Sequence, residues 1–209
     1  YYGIGRGNFD QKIYDKAVPA LRRSIEIDSK DYLEKSSQLI ILCDYARQNA
    51  NDLAKTIDSY LLSKPGGQVP PNILKWLGLK LYSSDDFKRA ARFLELAVTP
   101  QTPENTEPVV WNYLGMAQLQ NQKYDASIQA TENFLKSNPD PASSARAQLT
   151  KGKALLAQAG LPEGFKVTMN ARNNSPSKDL AQAIQASWAL AGIQVEIIPG
   201  DEKQNLTAY

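Results

Sequence analysis

Glycines 78, 115 and 152 stand 37 residues apart, and the aromatic residues Phe87 and Tyr124 keep the same interval. A fixed repeat of that length predicts stacked helical hairpins rather than one globular core. Each unit cannot bury its apolar face alone and must lay it against the next. A stack of this kind presents surface for binding and need carry no chemistry. The repeat stops near residue 158, and a different pattern follows.

The clearest unit has Trp111, Leu114, Gly115 and Ala117 in a first helix and Tyr124, Ser127, Ile128 and Leu135 in a second. Positions 124, 128, 131 and 135 fall on one helical face. Asn121-Gln122-Lys123 is the turn, Pro139 and Pro141 close the unit, and Gly115 is small because the partner helix crosses there. The preceding unit repeats this. Leu74, Leu77, Gly78 and Leu81 lie in its first helix, and Phe87, Ala90, Leu94, Ala97 and Val98 in its second. Ser83-Ser84-Asp85-Asp86 serves as turn and cap, and the Pro/Thr-rich stretch 99–108 is a long connection. Near the start, Ile4 and Gly5 match Leu114 and Gly115, and Tyr14, Ala17, Val18, Leu21 and Ile25 match the second-helix stripe. Residues 34–64 read as a degenerate helix pair of uncertain register. Ala142–Ala157 reads as a last first helix, with Gly152 in the glycine position.

Composition narrows the chemistry. There is no histidine, which removes the commonest general base and metal ligand. The single cysteine, Cys43, lies beside the apolar run 39–42 and reads as a buried, inert thiol. No catalytic constellation, metal site or cofactor motif is expected. With a net charge of +2, the chain lacks the basic excess of a nucleic-acid binder. No run approaches the ~18 apolar residues of a membrane span, and no signal peptide is visible. The chain starts at Tyr1 rather than Met and reads as a trimmed or partial one.

The residues Trp111, Leu114, Gly115, Tyr124, Ser127, Ile128 and Pro139, with Leu77, Gly78, Phe87, Ala90 and Ala97, resemble the tetratricopeptide repeat family. The resemblance covers about three quarters of the chain and is weak over 34–65. It implies a right-handed superhelix whose first helices line a concave groove for an extended peptide or a partner's helix. Offsets from Gly78 and Gly115 make Asn72, Lys75, Leu79, Tyr82, Asn112, Met116, Leu119 and Gln120 the groove candidates. Lys75 and Asn112 could hold a peptide carboxylate or backbone. The same positions also read as solvated helix residues. The family's carboxylate-clamp pattern is not reproduced in full, so a C-terminal-peptide ligand is not implied.

After residue 158 the period changes. Phe165, Val167 and Met169 alternate with polar residues as in a half-buried strand. Ser175 reads as an N-cap with Pro176 at the first helical position. Leu180, Ile184 and Trp188 form a stripe, Gly192 ends the helix, and Ile193, Val195 and Ile197 form a second strand, parallel to the first. The motifs 153–156, 160–165, 172–176, 181–185 and 192–197 resemble a stretch of the peptide-binding class of ABC-transporter substrate-binding proteins. Those proteins are two-lobed and far longer, so no ligand site is carried over. The resemblance implies a bacterial origin and leaves cytoplasm and periplasm open. The two resemblances meet inside one helix near 151–159. The favoured explanation is a chimera spliced there; the alternative is a natural repeat protein with a fortuitously similar tail.

The expected fold is therefore mostly α. A TPR-like α-solenoid of helix hairpins over 1–158 precedes a small strand–helix–strand extension over 159–209. A two-stranded sheet with one helix is marginal alone. Its strands are expected to dock on Ala142–Ala157 or to pair with a second chain as a homodimer. Phe165, Val167, Ile184, Trp188, Ile193, Val195 and Ile197 would be the core and association residues. Other motifs are set aside. Gly3-Ile4-Gly5-Arg6-Gly7 follows no strand and makes a poor phosphate loop. Asp85-Asp86 and Asp201-Glu202 read as caps and turns, 173–175 and 205–207 as chance sequons, and Arg22-Arg23 and Lys88-Arg89 as solvated faces. The leading function is a non-enzymatic protein- or peptide-interaction scaffold. The alternative is a solute (peptide)-binding module.

Overall fold

The computed structural model describes residues 1–98 and 105–200. The stretch 99–104 of the long connection, the Asp201-Glu202 pair and the sequon at 205–207 lie outside the described residues. The chain divides into two compact units, Tyr1–Thr106 and Glu107–Tyr209.

The first unit holds α1 (Tyr2–Asp10), α2 (Tyr14–Ile27), α3 (Ser29–Ala46), α4 (Ala50–Ser63), α5 (Pro71–Tyr82) and α6 (Phe87–Ala97). They form three hairpins, each packed on the next through α2–α3 and α4–α5. The second unit holds α7 (Pro108–Gln120), α8 (Tyr124–Lys136) and α9 (Pro141–Gln158), then β1 (Lys166–Arg172), α10 (Ser177–Ala189) and β2 (Gln194–Gly200). Here α9 packs on both α8 and α7.

The hairpins close at glycine, as the sequence predicts. A Cβ on Gly5 would lie 2.6 Å from Leu21 Cγ, one on Gly78 2.5 Å from Leu94 Cγ, and one on Gly115 2.5 Å from Thr131 Oγ1. Seven residues after each glycine, Lys12, Asp85 and Gln122 adopt φ near +60° and turn the chain into the second helix. Gln48 adopts the same conformation. This sets the register of the degenerate repeat: Ile41 occupies its glycine position and Ala50 its aromatic position. Of the described hairpins α3–α4 is the loosest, and it is the one without a glycine at this position.

A buried polar bridge compensates. Asp44 stands three residues after Ile41, where Leu81 and Gln118 stand in their repeats, and accepts a 2.7 Å hydrogen bond from Thr56 Oγ1 on α4. Burial pushes the Asp44 carboxyl above its ordinary range, against the pull of Thr56 and Arg22. Its neighbour Cys43 is fully buried, and burial pushes the thiol up to about 11. Its burial agrees with the sequence reading. Elsewhere Ser24 and Ser36 hydroxyls meet at 2.7 Å between α2 and α3, and Ser127 Oγ donates to Gly115 O across the α7–α8 crossing. Surface ion pairs such as Arg92–Asp58 and Lys151–Glu132 link different helices. Each contributes at most about 1 kcal/mol.

The extension is a two-stranded parallel sheet, with Lys166 opposite Gln194 and Arg172 opposite Gly200. Gly164 and Gly192 both have positive φ, and a Cβ on Gly164 would lie 1.9 Å from Gly192 O. Only glycine allows this approach at the start of the ladder. One face of the sheet carries Val167, Met169, Val195 and Ile197 beneath α10; the other carries Lys166, Thr168, Gln194 and Glu196 and is solvated.

Three details differ from the sequence reading. Gly152 has nothing within 4 Å of its missing Cβ, because β1 occupies the sequence where a second helix would pack against α9. Helix α10 begins at Ser177, with Pro176 as its N-cap residue, and the Ser175 hydroxyl donates to the Asp179 carboxylate instead of capping the backbone. The Leu180–Ile184–Trp188 stripe is not the packed face: Ala181 is buried, whereas Leu180 is 63% and Trp188 43% exposed. Helix α10 is rotated toward Ala181, Ile184 and Gln185, and Gln185 Nε2 donates to Val195 O at 2.6 Å. Val195 is buried, Val167, Ile184, Ile193 and Ile197 are half-buried, and Phe165 is exposed.

Candidate functional site

The eight groove candidates fall on two helices, one in each unit. On α5, Asn72, Lys75, Leu79 and Tyr82 follow 3-4-3 spacing and share a face; Asn72 is exposed and the others are half-buried. On α7, Asn112, Met116 and Leu119 are half-buried and Gln120 is exposed. Neither set is sealed into the core, where Leu77, Leu81, Leu114 and Ala117 lie.

The sequence reading missed the contribution of the second repeat. With Ile41 in the glycine position, Gln38, Leu42 and Tyr45 become the counterparts of Lys75, Leu79 and Tyr82. In the structure, Gln38 and Leu42 lie on the rim of an apolar hollow of about 340 Å³. Its floor is Ile41, Val69 and Ile73, and its far wall is the Gln68–Pro71 segment leading into α5. Pro70 and Pro71 supply no N–H and leave that wall apolar. The left-handed turn residue Gln48 fixes the register. It is neither glycine nor asparagine, so residue type did not mark it.

Aromatic residues extend this face. Tyr45 meets Trp76 edge-on at 5.2 Å, and Lys80 Nζ lies 6.0 Å from the Trp76 ring centroid. Tyr82 meets Phe87 edge-on at 5.2 Å. Helix α5 carries two lysines and no acidic residue. The face is thus an apolar hollow bordered by amide side chains, aromatic rings and positive charge. Among the described residues no group of three or more His, Cys, Asp or Glu is placed to hold a metal. No described helix is long and apolar enough to cross a membrane.

A second, wider hollow of about 940 Å³ runs along the tail sheet; polar Lys166, Thr168, Gln185, Gln194 and Glu196 line it together with apolar Val167, Val195 and Ile197.

The family described as bacterial extracellular solute-binding proteins, family 5 middle, matches residues 112–209, just under half of the chain. The tail's resemblance to solute-binding proteins therefore stands. The match starts well before Lys153 and takes in α7 and α8. Among solved structures, one of MamA is 17% identical, with 78% of this chain and 88% of that chain covered and a TM-score of 0.45. A second MamA structure is 14% identical over all of this chain and 94% of that one, with a TM-score of 0.46. The C-terminal part of a TPR repeat-containing protein from Cytophaga hutchinsonii is 15% identical, with 78% of this chain and 75% of that chain covered and a TM-score of 0.32. No curated protein matches the chain.

Proposed function

We propose that this protein is a non-enzymatic interaction scaffold whose first-helix faces bind an extended peptide or a helix of a protein partner. The observation that carries the reading is the apolar hollow between α3 and the start of α5, bordered by Gln38, Leu42 and Gln68. The face formed by Asn72, Lys75, Leu79 and Tyr82 continues it along α5, and Asn112, Met116, Leu119 and Gln120 offer a corresponding face on α7. The lysines of α5 favour a partner with acidic residues beside an apolar anchor. Selecting random displayed peptides on the full chain supplies probes. Their affinity is then compared for Leu42→Asp and for Leu62→Asp; Leu62 lies on α4 and is 84% exposed. Loss at Leu42 alone supports the reading, and equal affinity for both variants removes it.

The functional boundary in this reading lies at 158/159, with the tail as an association device joining two copies. Support comes from the two strands, both of which are sheet edges among the described residues, and from exposed Phe165 and Trp188. Splicing of two ancestries inside α9 is part of the same proposal. It is supported by a repeat register that runs to Gly152 and then ends. A natural chain in which α7–α8 and the tail run continuously through α9 removes the splice; finding the two parts only in separate natural chains supports it.

The family match over 112–209 favours a second reading, in which the tail retains solute (peptide) binding. In this reading the solute would sit in the hollow along the sheet, whose lining is mixed polar and apolar. Calorimetric titration with a di- and tripeptide mixture decides it: absence of both heat and thermal shift removes this reading.

A further inference from the structure

Helix α9 has a face that no described helix of its own chain covers. In the two complete hairpins around Gly78 and Gly115, a Cβ on the glycine would run into the second helix. The residue three positions later is buried there, with Leu81 3% and Gln118 1% exposed. In α9 the corresponding positions are open. No described residue approaches the missing Cβ of Gly152 within 4 Å, and Leu155 is 46% exposed. The opposite side of α9 is in use, with Ala147 and Ala154 buried.

The same chain also offers a helix with an unused face. Helix α10 meets the sheet through Ala181, while Leu180 and Leu190 are 63% and 64% exposed. These leucines share a stripe with exposed Ala183 and Ser187. Ala183 and Ser187 stand four residues apart, as do Ser127 and Thr131, the residues of α8 nearest the missing Cβ of Gly115. Small residues at that spacing let a helix cross a glycine closely.

We propose that α10 of a second copy sits on the Gly152–Leu155 face of α9, as α8 sits on α7, and that the exchange is reciprocal. The result is a twofold dimer with two helix contacts, because a surface that receives and a surface that inserts lie on each chain. This inference rests on the reading of the tail as an association device and assigns the contact to helices rather than to strand edges.

Light scattering on size-exclusion fractions across a concentration series tests it on the full chain. Four proteins are compared: wild type, Leu155→Lys, Ala183→Glu and the double variant. Both positions are exposed in the single chain, so unchanged helical circular dichroism is expected. The proposal expects a wild-type dimer, loss of the dimer in each single variant, and its return in the double variant, where the introduced lysine and glutamate face each other across the contact. A monomeric wild type overturns the inference together with the tail-association reading. A dimer indifferent to both single substitutions overturns the helix seat and leaves tail association standing. Failure of the double variant to recover overturns the direct contact.

Discussion

If hairpins close because a glycine lets two helices touch, Gly78→Ala should destabilise the protein even though alanine is the better helix former. A Cβ at Gly78 would lie 2.5 Å from Leu94 Cγ, 2.8 Å from Leu94 Cδ2 and 3.4 Å from Ala90 O. Leu94 is fully buried and has no solvent to retreat into. Overpacking of this kind costs about 1–3 kcal/mol. Replacing glycine by alanine inside a helix returns about 0.5–1 kcal/mol. The net expectation is a loss of up to about 2.5 kcal/mol, centred on about 1 kcal/mol. Gly7→Ala is the control, because Gly7 also lies in a first helix but has nothing within 4 Å of an added methyl. There only the propensity gain remains, about 0.5–1 kcal/mol of stabilisation. Urea unfolding followed by helical circular dichroism reads both signs. A Gly78→Ala protein as stable as wild type would refute the close-crossing argument. A destabilised Gly7→Ala protein would show that the glycine positions are not discriminated by contact.

Other expectations follow from single features. Gln122 holds φ +59°; Gln122→Gly should stabilise by about 1 kcal/mol in the same urea assay, because glycine adopts that region without penalty. Thr56→Val removes the hydrogen bond to buried Asp44 and should cost about 1–3 kcal/mol at neutral pH in thermal or urea unfolding. The folded Asp44 carboxyl is raised by burial, so the folded state holds that proton more tightly than the unfolded chain. The group therefore lowers stability as pH rises from the ordinary aspartate range through its folded pKa. In Asp44→Asn this part of the pH dependence should vanish, as measured by the difference in unfolding free energy between variant and wild type across pH. Gly164→Ala would bring a methyl against Gly192 O at a positive φ. It should abolish the tail sheet while leaving α1–α9, seen as lost exchange protection confined to 166–200.

The sequence made much of this fold legible, for identifiable reasons. Gly5, Gly78 and Gly115 mark helix crossings, and a missing side chain at a crossing is conspicuous in any repeat. The second repeat was opaque because Ile41 replaces the glycine and Ala50 the aromatic. Its register survives only in the backbone of Gln48 and in the Asp44–Thr56 bridge, and neither is visible as residue type. That loss hid Gln38, Leu42 and Tyr45, and with them the apolar hollow of the candidate site. At Gly152 the pattern was present but its usual consequence was not. Periodicity describes the helix that carries the glycine and says nothing about the segment that should cover it. The tail misled for another reason. An i, i+4, i+8 apolar stripe predicts which residues share a face, but α10 has two apolar faces and only one sheet. The small residue Ala181 gained the close contact, and Leu180 was left outside.

The claim on which the account turns is that the first-helix face of the α3–α5 region is the binding surface. Amide hydrogen exchange of the full chain, with and without a peptide selected on it, tests this directly. The account predicts slowed exchange in α3 from Gln38 to Tyr45 and in α5 from Asn72 to Tyr82, with α4 and α6 unchanged. Protection confined to α4 and α6, or to the tail strands, would contradict it.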